Sequence, residues 1–144
     1  MEFNRRINRR LHEEHVATLA LWARVEQSLA SGRPDAALLR QAAASLADEV
    51  TRHFEFEEKE LFPRLAEAGE GDIAGLLAEE HVAIRDAAAR FGRLLESDPK
   101  AVALELAERL MSHIQKEEMS LLPSLEDLLE DEADESLAMS YSQT

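Results

Sequence analysis

The chain is written twice. Glu13-Glu14-His15-Val16-Ala17 recurs letter for letter as Glu79-Glu80-His81-Val82-Ala83. Further on, His53-x-x-x-Glu57-Glu58-x-x-Leu61-Phe62-Pro63-x-Leu65 recurs as His113-x-x-x-Glu117-Glu118-x-x-Leu121-Leu122-Pro123-x-Leu125. Each half is one segment with a Glu-Glu-His histidine, His15 or His81, followed by one with His-x-x-x-Glu. A repeat constrains the fold because each copy carries the same face to bury and can bury it against the other copy.

Turn signals cut the halves into helices. Ser31-Gly32-Arg33-Pro34-Asp35, Gly69-Glu70-Gly71-Asp72 and Ser97-Asp98-Pro99 join Gly or Pro to a capping side chain. Asp98 before Pro99 reads as an N-cap with proline in the first helical position, and Asp72 as a second N-cap. Four helices are predicted, at about 4–30, 35–67, 72–96 and 98–130. A composition rich in Ala, Leu and Glu, with only 5 Gly and 4 Pro, agrees. Short loops force antiparallel neighbours, so the expected fold is all-α, an up-down-up-down four-helix bundle over residues 1–130. Pro63 and Pro123 lack the N–H of an interior helical residue, so a kink or stop is expected at each. Residues 131–144 are acidic and weakly apolar, and a flexible tail is expected there.

Each helix has one apolar stripe, and each stripe has a histidine in it. On a wheel of about 100° per residue the stripes are Leu11, His15, Leu19, Trp22, Leu29; Leu46, Val50, His53, Glu57, Leu61; Leu77, His81, Ile84, Ala88, Leu95; and Leu106, Leu110, His113, Glu117, Leu121. Residues four apart share a helix face, so His53 with Glu57, and His113 with Glu117, can reach one point of a core. A buried carboxylate is costly unless it is paired or bound to metal. Imidazole and carboxylate without thiolate suit iron, manganese or zinc, and a glutamate can bridge two ions. Glu58 and Glu118 lie off the stripe and read as solvated surface charge. Glu60 falls on the inner face, but its counterpart is Ser120. His12, about 60° from His15, could be a fifth ligand, but a boundary residue bonded to a neighbour is the favoured reading.

Other classes are disfavoured. A net charge of −14 repels nucleic-acid phosphate and anionic membrane surfaces. No cysteine is present for disulfides or thiol chemistry. No apolar run reaches the roughly 20 residues of a membrane span, and no cleavable leader follows the basic start, so cytoplasmic residence is the expectation. Arg5, Arg6, Arg9 and Arg10 should lie near Glu126, Asp127, Glu130 and Asp131 if the first and fourth helices share an end of the bundle.

Taken together, His15, His53-x-x-x-Glu57-Glu58-x-x-Leu-Phe-Pro, Glu80-His81 and His113-x-x-x-Glu117-Glu118-x-x-Leu-Leu-Pro resemble the hemerythrin-like, or HHE cation-binding, domain, over about residues 4–125. The resemblance implies a non-haem centre of two iron ions with an oxo or hydroxo bridge and bridging carboxylates. Its ligand candidates are His15, His53, Glu57, His81, His113 and Glu117. It also implies a small diatomic or peroxide ligand, bound or sensed. The same centre would suit an enzyme that reduces peroxide or nitric oxide, a donor of iron for cluster repair, or an iron store or regulatory module. A sensor would need a separate protein partner. Oxygen-carrying hemerythrins have a histidine where this chain has Arg85, and an aspartate five residues after the last histidine where this chain has Glu117 at four. A changed ligand set alters the open positions and the charge of the centre, so lasting reversible oxygen carriage is not expected.

Overall fold

The computed structural model describes residues 2–144. It is all helical: α1 (Arg6–Ala30), α2 (residues 36–67), α3 (Gly71–Leu94), α4 (residues 100–128) and α5 (Asp131–Ser142). Each of the four long helices packs against two of the others, giving a helical bundle, and α5 lies against α1. Asp35 starts α2 by accepting the Leu38 N–H at 3.2 Å. Gly69, at φ 89°, ends it. There the Glu70 N–H reaches back to Leu65 O and the Gly69 N–H to Ala66 O, a Schellman motif that only a residue free to turn left-handed closes without strain. The other expected caps differ. Pro99 holds the N-cap position of α4, and Asp72 lies inside the first turn of α3.

Neither proline stops its helix. In α2 the turns Glu49–His53 and Glu57–Leu61 are π-helical, and in α4 so is Glu117–Leu121. The Phe62 N–H donates to Glu57 O and the Leu122 N–H to Glu117 O, five residues back. This wider turn sits immediately before each proline. It gives the ring room and absorbs the missing donor, so both helices continue. The two π turns before the prolines begin at the motif glutamates, Glu57 and Glu117.

Two apolar clusters fill the bundle, one around Trp22, Leu46, Ile84 and Leu110, the other around Leu11, Leu61, Leu77 and Leu121. Each long helix passes from one cluster to the other with its histidine between. Leu19, expected on the inner stripe, is 37% exposed.

Residues 131–142, expected to fray, form α5 instead. Leu137 and Tyr141 lie in the second cluster, and Asp134 accepts the N–H groups of Arg6 (2.8 Å) and Ile7 (3.0 Å). These are free amides at the start of α1, where an anion is favoured. Glu126 serves Asn4 and Arg5 in the same way. The chain ends thus meet, but chiefly through backbone amides. Of the expected side-chain pairs, Arg5 with Asp131 is formed at 2.5 Å, while Arg9 turns to Asn4 O and Arg10 to Glu14.

Candidate metal centre

His15, His53, Glu57, His81, His113 and Glu117 are all buried and meet between the two apolar clusters. They form two sets of four. One is His15, His53, Glu57 and Glu117; the other is His81, His113, Glu57 and Glu117. In each set the potential ligand atoms lie within 4.8 Å of one another, and both glutamates belong to both sets. Glu117 Oε1 is 2.9 Å from His15 Nε2, and its Oε2 is 3.3 Å from His113 Nε2. Glu57 Oε2 is 3.1 Å from His53 Nε2, and its Oε1 is 3.1 Å from His81 Nε2. Each carboxylate therefore spans the two histidine pairs.

All four histidines turn Nε2 inward because Nδ1 is engaged outside. His15 Nδ1 meets Glu118 (2.6 Å), His53 Nδ1 meets Glu14 (3.1 Å), His81 Nδ1 meets Glu58 (2.6 Å) and His113 Nδ1 meets Glu80 (2.8 Å). An ionised carboxylate only accepts, so each Nδ1 carries a proton and each Nε2 is left for a metal or a second proton. Every outer glutamate also meets a basic side chain: Glu14 with Arg52, Glu58 with Arg85, Glu80 with Lys116 and Glu118 with His12. Phe54 stacks face to face on His81 at 3.8 Å and fixes that ring further.

Glu58 and Glu118 are thus not solvated surface charge; they cross to the histidines of the neighbouring helices. The signal was in the repeat, which preserves Glu-Glu-His and His-x-x-x-Glu-Glu although the extra glutamates lie off the apolar stripe. Arg85 stays outside, on Glu58 and the Val50 carbonyl. His12 bonds to Glu118, as a boundary residue should. Glu60 is exposed and takes no part in either set.

A buried carboxylate, Glu49, departs from the two-fold pattern. Glu49, four residues before His53, is buried, takes the Thr18 hydroxyl at 3.3 Å and lies 3.7 Å from His53 Nδ1. Burial pushes its carboxyl above the ordinary range. The equivalent position before His113 is Arg109, which pairs with Glu105.

The electrostatics suit a cation. Burial pulls the His15 imidazole down, but the hydrogen bonds to Glu117 and Glu118 outweigh it and hold the ring at about 9. The same contest, won by Glu117 and Glu80, puts His113 at about 10. His53 is raised well above its usual range against burial, by Glu57 and Glu14. Burial would raise Glu117, yet His113 and His15 drive it well below. Even so, Glu57 Oε1 and Glu117 Oε2 are buried without a hydrogen-bond partner, and Nε2 of His81 faces Nε2 of His113 at 3.1 Å. Orphaned carboxylate oxygens opposite converging imidazole nitrogens are what a metal ion would satisfy. The residues fit such a group.

The family model described as "Hemerythrin HHE cation binding domain" matches residues 6–134. No curated protein and no solved structure matches the chain. Among the described residues no helix is long and apolar enough to cross a membrane.

Proposed function

Since the chain belongs to the hemerythrin HHE cation-binding domain family, we propose that it is a non-haem di-iron protein that binds or senses a small oxidant or gas: oxygen, nitric oxide or a peroxide. The observation that carries this reading is the sharing of Glu57 and Glu117 between two histidine pairs. In this reading His15 and His53 would hold one ion and His81 and His113 the other, with Glu57 and Glu117 available to both. The bundle itself is read as up-down-up-down, with α5 added, which is supported by the way successive helices run between the two apolar clusters in alternating order.

Six protein ligands would leave room at two bound ions for a small ligand from solution. Bound iron supplies a Lewis acid that can change oxidation state. The chain supplies the rest. Glu14, Glu58, Glu80 and Glu118 keep a proton on each Nδ1 and aim each Nε2 inward. Phe54, Phe62 and the leucines above and below keep bulk water out, which admits small neutral ligands in preference to large polar ones.

The test is metal analysis with optical spectra of protein purified under nitrogen and under air, followed by nitric oxide or peroxide added to the reduced form. Two irons per chain, a near-ultraviolet absorption in the oxidised form and a spectral response to one of these ligands are expected. Full iron loading after both His53→Ala and Glu117→Ala would overturn the ligand assignment. An unchanged spectrum with every ligand would overturn the gas or oxidant role and leave iron storage.

A further inference from the structure

The repeat accounts for four supports around the centre, but a fifth comes from outside it. Tyr141, near the end of α5, is 1% exposed, and its hydroxyl donates to Glu14 Oε1 at 2.5 Å. The same oxygen accepts from His53 Nδ1 at 3.1 Å. The tyrosine ring stands edge-on to the His53 ring, with centroids 6.2 Å apart at 88°, and packs against Phe56 at 4.7 Å. Arg52 and Arg10 lie over it at 5.0 and 5.4 Å. Among the described residues, the equivalent carboxylate of the other half, Glu80, meets Lys116 beside its histidine and no aromatic hydroxyl.

We propose that α5 is a latch and Tyr141 a positioning residue: its hydroxyl orients Glu14, Glu14 orients His53, and the ion held by His15 and His53 is thereby retained longer than the ion held by His81 and His113. The inference rests on the two-metal reading above. The physical reason is rotation of a carboxylate. Glu14 also pairs with Arg52 through both oxygens and with Arg10. Arg52 is half-buried and Arg10 exposed, and both compete with His53 for the carboxylate. The Tyr141 hydroxyl, on a ring locked by packing, adds a donor to the same Oε1 that meets His53 and helps to hold it there. The helix that carries the ring is itself tied to α1 by Asp134 and Leu137. The two halves of the site are therefore unequal although their ligands repeat.

Tyr141→Phe keeps the ring and removes only the hydroxyl. Two measurements test it. First, iron-loaded full-length protein is mixed with a chromophoric ferrous chelator, and release is followed in time. Wild type should release in two phases; the variant should speed the slow phase about fivefold, the weight of one hydrogen bond, and leave the fast phase unchanged. Second, in protein stripped of metal, hydrogen exchange of the Nδ1 proton of His53 is followed by nitrogen-resolved NMR, with His113 as the internal reference. Exchange at His53 alone should quicken. Equal acceleration of both phases, or no change at His53, overturns the latch. If wild type binds no iron, the two-metal reading fails, while the His53 exchange still decides whether Tyr141 positions that ring.

Discussion

Glu58 reaches from α2 to Nδ1 of His81 on α3, at 2.6 Å, and carries the Arg85 guanidinium on the same carboxylate. Burial would raise its carboxyl, but the hydrogen bonds with Arg85 and His81 hold it below the ordinary range. It is ionised when His81 needs an acceptor, and the arginine keeps it from turning to water. The chain makes the same imidazole–carboxylate contact at the other three histidines of the centre.

Removing one of these carboxylates should loosen metal without removing a ligand. Glu58→Ala and Glu118→Ala are each expected to weaken metal binding about 10–100-fold, the usual cost of losing such a support. Glu60→Ala, on the exposed face of the same helix, should have no effect. Competition with a chelator of known affinity measures all three, and equal affinities for Glu58→Ala and Glu60→Ala would contradict the arrangement.

Sharing makes the glutamates unequal to the histidines. Glu117→Ala removes a ligand atom from both sets and should cost most of both ions. His15→Ala touches one set only and should leave about one ion per chain, held by His81, His113, Glu57 and Glu117. Elemental analysis of both variants decides this; one ion retained by Glu117→Ala would mean that it does not bridge.

The raised histidines set a pH dependence for protein stripped of metal. Folded His15, at about 9, and His113, at about 10, lie above the usual 6.5. Their charged pairing therefore stabilises the fold fully below pH 6.5 and is lost as pH rises through about 9 to 10. Glu117, depressed, contributes above its ordinary 4.5 and loses that contribution as pH falls through its lowered value. The stripped protein should therefore melt lower at pH 9.5 than at pH 6. In the loaded protein metal replaces the Nε2 protons, so this fall should be absent and affinity should rise with pH. A stripped protein whose melting is as high at pH 9.5 would exclude the charged pairing.

What the residues revealed in advance was whatever lay on a periodic apolar stripe. The four helices, their order and the convergence of His15, His53, Glu57, His81, His113 and Glu117 all follow from period and repeat. Glu14, Glu58, Glu80 and Glu118 lie off those stripes, where helical periodicity assigns side chains to water. Only the neighbouring helix shows what they meet. The π turns before Pro63 and Pro123 are a backbone adjustment with no composition of their own. Helix α5 was hidden for a third reason. Its apolar residues are few, and it is held by Asp134 on the free amides of α1, a contact between residues more than a hundred positions apart.

Deleting residues 131–144 tests that last element. Leu137 and Tyr141 are buried, and replacing one buried leucine by alanine typically costs about 2–5 kcal/mol. The deletion should therefore lower thermal stability clearly, and just as much at high salt, because apolar packing is not screened. Loss of stability at low salt only would reduce α5 to its ion pair between Arg5 and Asp131.

Iron should raise the melting temperature while leaving most of the helix in place when removed. Glu57 Oε1 and Glu117 Oε2 are orphaned in the core, and a buried unsatisfied polar group costs roughly 1–3 kcal/mol. The stripped protein recovers part of that through charged imidazole–carboxylate pairs, which a metal then replaces with stronger bonds. A ligand that binds only the folded state at about a thousandfold over its dissociation constant adds about 4 kcal/mol. For a chain of this size that corresponds to roughly 8–16 °C. The helices do not depend on it, since the hydrophobic clusters around Trp22 and Leu106 and around Leu65 and Leu125 lie on either side of the centre. Far-ultraviolet dichroism at low temperature should therefore be nearly the same with and without iron, and the melts should be well separated. Coincident melts would mean that the metal does not bind among these six groups, because ions bound there would add their binding energy to the fold.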